Sequence, residues 1–286
     1  MRSTLGIVGA AILVMVMAST SAAENAAKVH YVANEGFLIE VGAKKVLIDA
    51  LFDNQSITWC HVPDEMTLRK MENAEAPFDR VELILVTHAH PDHFSPQSVI
   101  RRLRNDSSAF VIGPPQMVTA LDAAGATEQE IEERIIEIDL ELFDSTALDV
   151  AGIGVRAYRL KHSEYVTEDP KTGEKIDRHR NVENLIYLIE VGGKRLLHVG
   201  DAVLSQNPEL FNDGVFEKVD LDIVFLEYFD SSEETRAILD RWMNIDRTVF
   251  MHLPTQADEI ETISQQLELT FANRVIFDTL LQIREF

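Results

Sequence analysis

The chain has 286 residues and carries 26 Lys and Arg against 48 Asp and Glu, which gives a formal net charge of −22 at pH 7. A surface this acidic repels nucleic acid and anionic lipid, so the composition argues against a nucleic-acid partner. The single cysteine, Cys60, excludes an intrachain disulfide.

The first residues are typical of a secretory signal peptide. Arg2 gives a positive start, an uncharged apolar stretch runs from Leu5 to Ala18, and small residues precede a cleavage position after Ala23. An uncleaved membrane anchor is the alternative, but this stretch is short for a span of ~20 residues. We therefore expect residues 1–23 to be removed on export to the periplasm or the medium. Residues 24–286 should then form one domain with no membrane span.

Periodicity and turn residues divide the rest of the chain into helices and strands. The predicted helices lie near 63–73, 96–105, 115–124, 127–135, 232–243 and 256–268. The predicted strands lie near 28–33, 36–41, 44–49, 81–87, 108–112, 147–160, 183–191, 194–199, 221–227, 247–252 and 274–277. The polar segment 163–181 contains Pro170 and Gly173 and is predicted to be a long surface loop, either a substrate wall or a plain excursion.

Two of the predicted strand pairs repeat one another at an offset of 150 residues. Residues 37–47 (FLIEVGAKKVL) and 187–197 (YLIEVGGKRLL) are identical at seven of eleven positions. Each copy is predicted to be a β-hairpin with a glycine-containing turn.

The most distinctive motif follows the apolar strand at 81–86. It reads His-x-His-x-Asp-His and comprises His88, His90, Asp92 and His93. Imidazole and carboxylate are the ligands that zinc and similar divalent cations prefer, and Pro91 prevents the loop from continuing as a helix. The motif therefore favours a metal site at the end of a strand over a chance cluster of polar residues.

This motif resembles the signature of the metallo-β-lactamase-fold hydrolases. The resemblance implies an α/β fold, a four-layer αββα sandwich built from two similar αβ halves, which we place at about 28–155 and 156–286. It also implies three further ligands at strand ends, for which the candidates are His162, Asp201 and His252. Asp49, at the end of another strand, is either a carboxylate that orients a ligand histidine or a polar strand end.

The resemblance further implies two metal positions. The first would be held by His88, His90 and His162, the second by Asp92, His93 and His252, with Asp201 bridging. Two Zn²⁺ ions are expected, with Mn²⁺ or Fe²⁺ as alternatives. The expected catalytic residues are Asp92 and Asp201, which would act with a hydroxide held between the metals.

The leading functional hypothesis is a dinuclear zinc hydrolase for a small lactone, ester, amide or phosphodiester. The chain looks more like the ascorbate-6-phosphate lactonase and uncharacterised hydrolase branch than a β-lactamase. An iron-dependent oxidoreductase on the same fold is an alternative, although His90 stands where di-iron members have glutamate. A catalytically silent metal-binding protein is another.

Three further residues have competing interpretations. His198 lies inside an apolar strand and is interpreted as structural. His179 either lines the pocket or is a solvent-exposed loop residue, and the exposed interpretation is favoured. Tyr228 fits substrate contact and core packing equally well.

Export gives the first testable prediction. The mature protein from the envelope fraction of its host should have the mass of residues 24–286, measured on the intact chain. A mass that includes Met1 to Ala23 would replace the signal peptide with an anchor or a cytoplasmic protein.

Overall fold

The computed structural model describes residues 26–212 and 214–286. The predicted signal peptide and its cleavage position lie outside these residues. Within the described part of the chain, no helix is long and apolar enough to cross a membrane.

Six helices and sixteen strands occur in the described residues, together with three short 3₁₀ turns. The helices are α1 (Glu65–Glu72), α2 (Pro96–Asn105), α3 (Pro115–Ala123), α4 (Glu128–Arg134), α5 (Glu233–Trp242) and α6 (Ala257–Thr270). The first strands are β1 (Ala27–Ala33), β2 (Gly36–Val41), β3 (Lys44–Ile48), β4 (Leu83–Leu85), β5 (Phe110–Gly113), β6 (Ile135–Glu137), β7 (Ser145–Val150) and β8 (Ile153–Leu160). The others are β9 (Val166–Glu168), β10 (Lys175–Asp177), β11 (Asn184–Val191), β12 (Lys194–His198), β13 (Val219–Glu227), β14 (Met243–Met251), β15 (Arg274–Ile276) and β16 (Ile283–Glu285).

The strands form two seven-stranded sheets with related topologies. The first has the order β16-β1-β2-β3-β4-β5-β6 and the second the order β15-β14-β13-β12-β11-β8-β7. In each sheet an antiparallel hairpin, β2–β3 or β11–β12, is followed by parallel strands. The two hairpins have equivalent registers, since Val41 pairs with Lys44 and Val191 pairs with Lys194. The predicted hairpins and the two similar halves are therefore confirmed.

The two sheets pack face to face with helices outside. One apolar cluster joins Phe37 and Ile39 of the first sheet to Tyr187 and Phe225 of the second. A separate cluster packs α1, α2 and α3 on the outer face of the first sheet. Helices α5 and α6 bury Leu239 and Leu267 on the second sheet. These layers confirm the αββα architecture.

The structure corrects the predicted boundary between the halves. We expected it near residue 155, with one strand over 147–160. Instead β7 and β8 form a hairpin of the second sheet, turning at Ala151 and Gly152, which both have positive φ. The boundary therefore lies between β6 and β7.

The predicted loop 163–181 has more structure than expected. It contains the short antiparallel pair β9–β10. The strands β6 and β16 were also not predicted, because each has only three residues and no alternation long enough to distinguish it from a loop.

A close approach between the sheets depends on Gly200. It has a φ of 52°, and a Cβ there would lie 2.7 Å from Asn184 Oδ1 and 2.9 Å from Thr87 Cβ. Leu185 N donates to Thr87 O at 2.9 Å beside it, which ties the loop after β4 to the second sheet.

We predict that Gly200→Ala lowers the free energy of unfolding by about 2–5 kcal/mol, because backbone strain and steric overlap add. Gly193→Ala is the control, since Gly193 also has a positive φ but a Cβ there would meet no atom within 4 Å. The control should lose only about 1–2 kcal/mol. Equal losses in denaturant titrations would show that the contact does not matter.

Candidate metal centre

The seven predicted ligands meet at one edge of the two sheets. Each lies just beyond the end of a strand: the motif residues after β4, His162 after β8, Asp201 after β12 and His252 after β14. Within the motif, His93 N and Phe94 N both donate to His90 O, which forms a tight turn. Ser95 then caps α2 and ends the loop.

The first cluster consists of three imidazoles and one carboxylate. The candidate ligand atoms of His88, His90, His162 and Asp201 all lie within 4.8 Å of one another. His88 Nε2 is 3.0 Å from His90 Nδ1 and 3.3 Å from His162 Nε2. His88 and His162 are buried, and His90 is half-buried. The arrangement brings the three predicted ligands of the first metal position together.

The second cluster surrounds His93. Its Nε2 lies 3.1 Å from Asp201 Oδ1 and 3.6 Å from Asp92 Oδ2. His252 Nε2 is 3.8 Å from Asp92 Oδ2. Glu35 was not among the predicted residues, yet its carboxylate groups with His93, Asp201 and His252 within 4.8 Å.

Asp201 lies between the two clusters. Its Oδ1 faces His93 Nε2 at 3.1 Å, and its Oδ2 faces His162 Nε2 at 3.2 Å. A buried carboxylate that presents one oxygen to each cluster has the geometry that a bridging ligand needs. The bridging role itself stays a prediction.

Burial and neighbouring charges set the protonation of the imidazoles. Burial, together with His93, lowers the pKa of His88 well below its ordinary value. Burial, together with His162, lowers the pKa of His90 to about 4. Both rings are therefore neutral at pH 7, the state in which an imidazole nitrogen can bind a cation.

His93 and Asp201 behave as a charge pair. Burial alone would lower the pKa of His93, but Asp201 and Asp92 outweigh it and raise that pKa well above the usual range. Burial likewise raises the pKa of Asp201, but His93 and His88 hold it well below its ordinary value. Binding of a cation at His93 Nε2 would displace a proton from this pair.

The arrangement of polar atoms fits metal ions. His93 Nε2 and Asp201 Oδ1 are buried and close, yet neither makes a hydrogen bond of acceptable geometry. Buried polar atoms are normally hydrogen-bonded, so such a pair needs another partner. Zn²⁺, which favours imidazole nitrogen and carboxylate oxygen, matches this donor set.

Asp49 holds the motif in place. Its Oδ1 accepts from Thr87 N at 2.8 Å, and its Oδ2 accepts from Thr87 Oγ1 at 2.6 Å. The same Oδ2 lies 3.1 Å from His93 Nδ1. Of the two interpretations from the sequence, the geometry favours the carboxylate that orients a ligand histidine.

Two buried glutamates were missed from the sequence. Glu35 lies in the β1–β2 turn, and Glu227 is the last residue of β13. Neither carries a motif. The two carboxyls face each other, and no Lys or Arg among the described residues forms an ion pair with either. Burial raises the pKa of both well above the usual range, with Asp201 adding to the effect on Glu35 and Glu35 adding to that on Glu227.

The structure corrects the interpretation of His179 as a solvent-exposed residue. It is half-buried, and its ring centroid lies 4.2 Å from that of His162 and 4.9 Å from that of His90. Its Nδ1 is 3.0 Å from Ser163 O. The β9–β10 segment therefore brings an additional imidazole to the first cluster.

The structure also decides between the interpretations of His198 and Tyr228. Gly200 N donates to His198 Nδ1 at 3.2 Å, and His198 Nε2 donates to Glu35 O at 3.0 Å, so this histidine is structural. Tyr228 packs against the core. Its neighbour Phe229 is 45% exposed, and its ring centroid lies 5.7 Å from that of His252.

We predict that Asp49→Asn weakens zinc binding by about 10–100-fold, because an amide cannot accept from Thr87 and His93 together. Competition with a chromophoric chelator measures the affinity. Asp122→Asn, at an exposed position on α3, is the control for the loss of one negative charge. Unchanged affinity in Asp49→Asn would show that Asp49 is only a polar strand end.

Comparison with known proteins places the chain in a family. The family model described as the beta-lactamase superfamily domain matches residues 44–261. A protein named as a metal-dependent hydrolase in Polynucleobacter asymbioticus is 26% identical over 186 residues, 63% of this chain and 61% of that protein. A Pyrococcus furiosus protein is 31% identical over 169 residues, 59% of this chain and 57% of that protein. The chain thus matches about six-tenths of the length of these curated relatives.

Solved structures share the fold at low sequence identity. A metallo hydrolase from Ignicoccus hospitalis has a TM-score of 0.53 and 17% identity, covering 91% of this chain and 98% of that chain. A metallo-β-lactamase-fold protein from Bacillus subtilis has a TM-score of 0.57 and 12% identity, covering 92% of this chain and 100% of that chain. The family model shows that the chain belongs to the beta-lactamase superfamily, and the solved structures share its fold.

Proposed function

We propose that the protein is a hydrolase that uses two zinc ions to cleave a small lactone, ester, amide or phosphodiester. The observation that carries the proposal is the position of Asp201, which directs one carboxylate oxygen toward His162 and the other toward His93. A second support is the name of the Polynucleobacter relative, a metal-dependent hydrolase.

Each group of candidate ligands has its own proposed role in hydrolysis. The pair of zinc ions would supply a water of lowered pKa and polarise the carbonyl or phosphoryl group that is attacked. His88, His90 and His162 would hold the first position as neutral imidazoles. His93, Asp92 and His252 would hold the second, and Asp201 would keep the two positions together.

Asp92 is the candidate for proton transfer to the leaving group. Its Oδ2 lies near His93 and His252, and Asn34 Nδ2 donates to that oxygen at 3.4 Å and to Asp92 O at 3.3 Å. These contacts hold the carboxylate beside His93 and His252, from where it would give a proton to the departing oxygen or nitrogen.

The walls of the site suggest a substrate with apolar groups on either side of the bond that is cleaved. Tyr165 is 56% exposed, and its ring centroid lies 5.4 Å from that of His179, on the side of the first cluster. Phe229 stands on the side of the second cluster against His252. Two exposed aromatic rings beside polar ligands favour a neutral or partly apolar small molecule over a highly charged polymer.

We also propose that the protein acts outside the cytoplasm. The support is the charged start at Arg2, the apolar stretch from Leu5 to Ala18 and the small residues before Ala23. The acidic composition and the absence of a possible disulfide are compatible with that location.

The proposal is tested by metal analysis combined with a substrate panel. The purified protein should bind two zinc ions per chain by elemental analysis. It should hydrolyse at least one class among lactones, esters, amides, β-lactams and phosphodiesters, and a chelator should abolish the activity. Failure to retain any transition metal after zinc reconstitution would refute the proposal.

We predict that Asp201→Asn lowers the hydrolysis rate by at least ~10²-fold, because it removes negative charge from between two dications. One zinc ion should bind more weakly, and the melting temperature in excess zinc should change little. Asp122→Asn should keep the wild-type rate. Near-normal turnover with two tightly bound zinc ions in Asp201→Asn would refute the bridging role.

A further inference from the structure

The turn between β1 and β2 fixes the main chain of Glu35 beside the second cluster. His198 Nε2 donates to Glu35 O at 3.0 Å. At Gly36 a Cβ would lie 2.8 Å from Asp49 O, so this glycine allows the turn to pack directly on the end of β3. Asn34, which precedes Glu35, donates from its side-chain amide to Asp92. The turn is therefore held on both sides of Glu35.

The Glu35 carboxyl is buried among other acidic groups. The residue has no exposed surface, and in residues 26–212 and 214–286 its oxygens face no hydrogen-bond donor other than the Glu227 carboxyl. Glu35 Oε2 lies 3.8 Å from His93 Nδ1. That nitrogen is closer to Asp49 Oδ2, at 3.1 Å. In the same residues, no Lys or Arg forms an ion pair with Glu35. A buried carboxyl beside Glu227 and Asp201 can carry its negative charge only if a cation offsets it.

We propose that Glu35 is a direct ligand of the cation at the second position. One of its oxygens lies within 4.8 Å of the candidate ligand atoms of His93, Asp201 and His252, which are themselves within that distance of one another. A cation among these atoms would give the Glu35 carboxylate the positive charge that no Lys or Arg among the described residues supplies. The proposal rests on the proposed function, because it assumes that a second metal position exists.

A carboxylate from Glu35 makes the second position richer in oxygen ligands than the first. The group around the second position then offers the carboxylates of Glu35 and Asp201 and two imidazoles, with Asp92 Oδ2 3.6 Å from His93 Nε2 and 3.8 Å from His252 Nε2. The first position offers three imidazoles and the shared Asp201. Oxygen ligands suit harder cations such as Mn²⁺ and Fe²⁺, and zinc is usually satisfied by four ligands. The second position should therefore bind Mn²⁺ well while zinc occupies the first.

The test measures Mn²⁺ binding to the full-length mature protein after it has been loaded with one equivalent of zinc. Electron paramagnetic resonance of free Mn²⁺ gives the dissociation constant. Glu35→Gln keeps the shape of the side chain but removes the negative charge, and it should weaken Mn²⁺ binding at least ~10-fold. Zinc at the first position should stay bound, as measured by elemental analysis. Glu132→Gln, at an exposed position on α4, is the matched control and should bind Mn²⁺ like the wild type.

Thermal unfolding separates a ligand from a structural role. Glu35→Gln replaces a buried acid beside Glu227 and Asp201 with a neutral side chain of the same shape. The metal-free variant should therefore melt at or above the wild-type temperature and gain less from added Mn²⁺. Glu35→Asp, which keeps the charge but withdraws the oxygens, should also bind Mn²⁺ more weakly.

Two results would overturn the proposal, and they can be told apart. Wild-type Mn²⁺ affinity in a folded Glu35→Gln variant would refute the ligand role of Glu35 and leave the two-metal hydrolase intact. A wild-type protein that binds one cation only, under all loading conditions, would refute both Glu35 as a ligand and the dinuclear function.

Discussion

The constraint on which the rest of the structure depends is the balance of charge where the two sheets meet. We call this region, around Glu35, Asp201 and Glu227, the joint. Glu35, Asp201 and Glu227 are buried there beside Asp92, and their carboxylates face one another more than they face cationic side chains. Among the described residues, His93 faces Glu35 and Asp201, His162 faces Asp201, and His252 faces Asp92. Such a cluster is unfavourable without added positive charge. Two divalent cations would supply that charge, so metal binding and the integrity of the joint are expected to be linked.

Hydrogen bonds and one glycine hold the two sheets close together at the joint. Tyr187 Oη donates to Val86 O at 2.8 Å, and Leu185 N donates to Thr87 O at 2.9 Å, so strand β11 of the second sheet holds the metal motif of the first. Gly200 leaves room for this approach. Asp49 completes the connection by binding both the main chain and the side chain of Thr87. The ligands from each half are therefore positioned by hydrogen bonds across the interface between the halves.

Much of this arrangement could be predicted from local sequence. The motif from His88 to His93 is contiguous and carries the family resemblance that implied the fold and the ligands His162, Asp201 and His252. The hairpins at 37–47 and 187–197 could be predicted from their repeat and their glycine turns. Glu35 could not be found in this way, since only the folded chain brings the β1–β2 turn to His198 of β12 and close to Asp201 and His252. His179 was misjudged for a similar reason. A polar loop carries no periodicity, and only the β9–β10 pair brings that histidine back onto His162.

Anomalous diffraction from crystals of zinc-loaded protein, recorded at the zinc absorption edge, tests the central claim most directly. The account predicts two peaks separated by ~3.5–4 Å, one among His88, His90 and His162 and the other between His93, His252 and Glu35, with Asp201 contacting both. A single peak among the three histidines, with the Glu35 and Asp201 carboxylates unchanged around an empty second position, would contradict it.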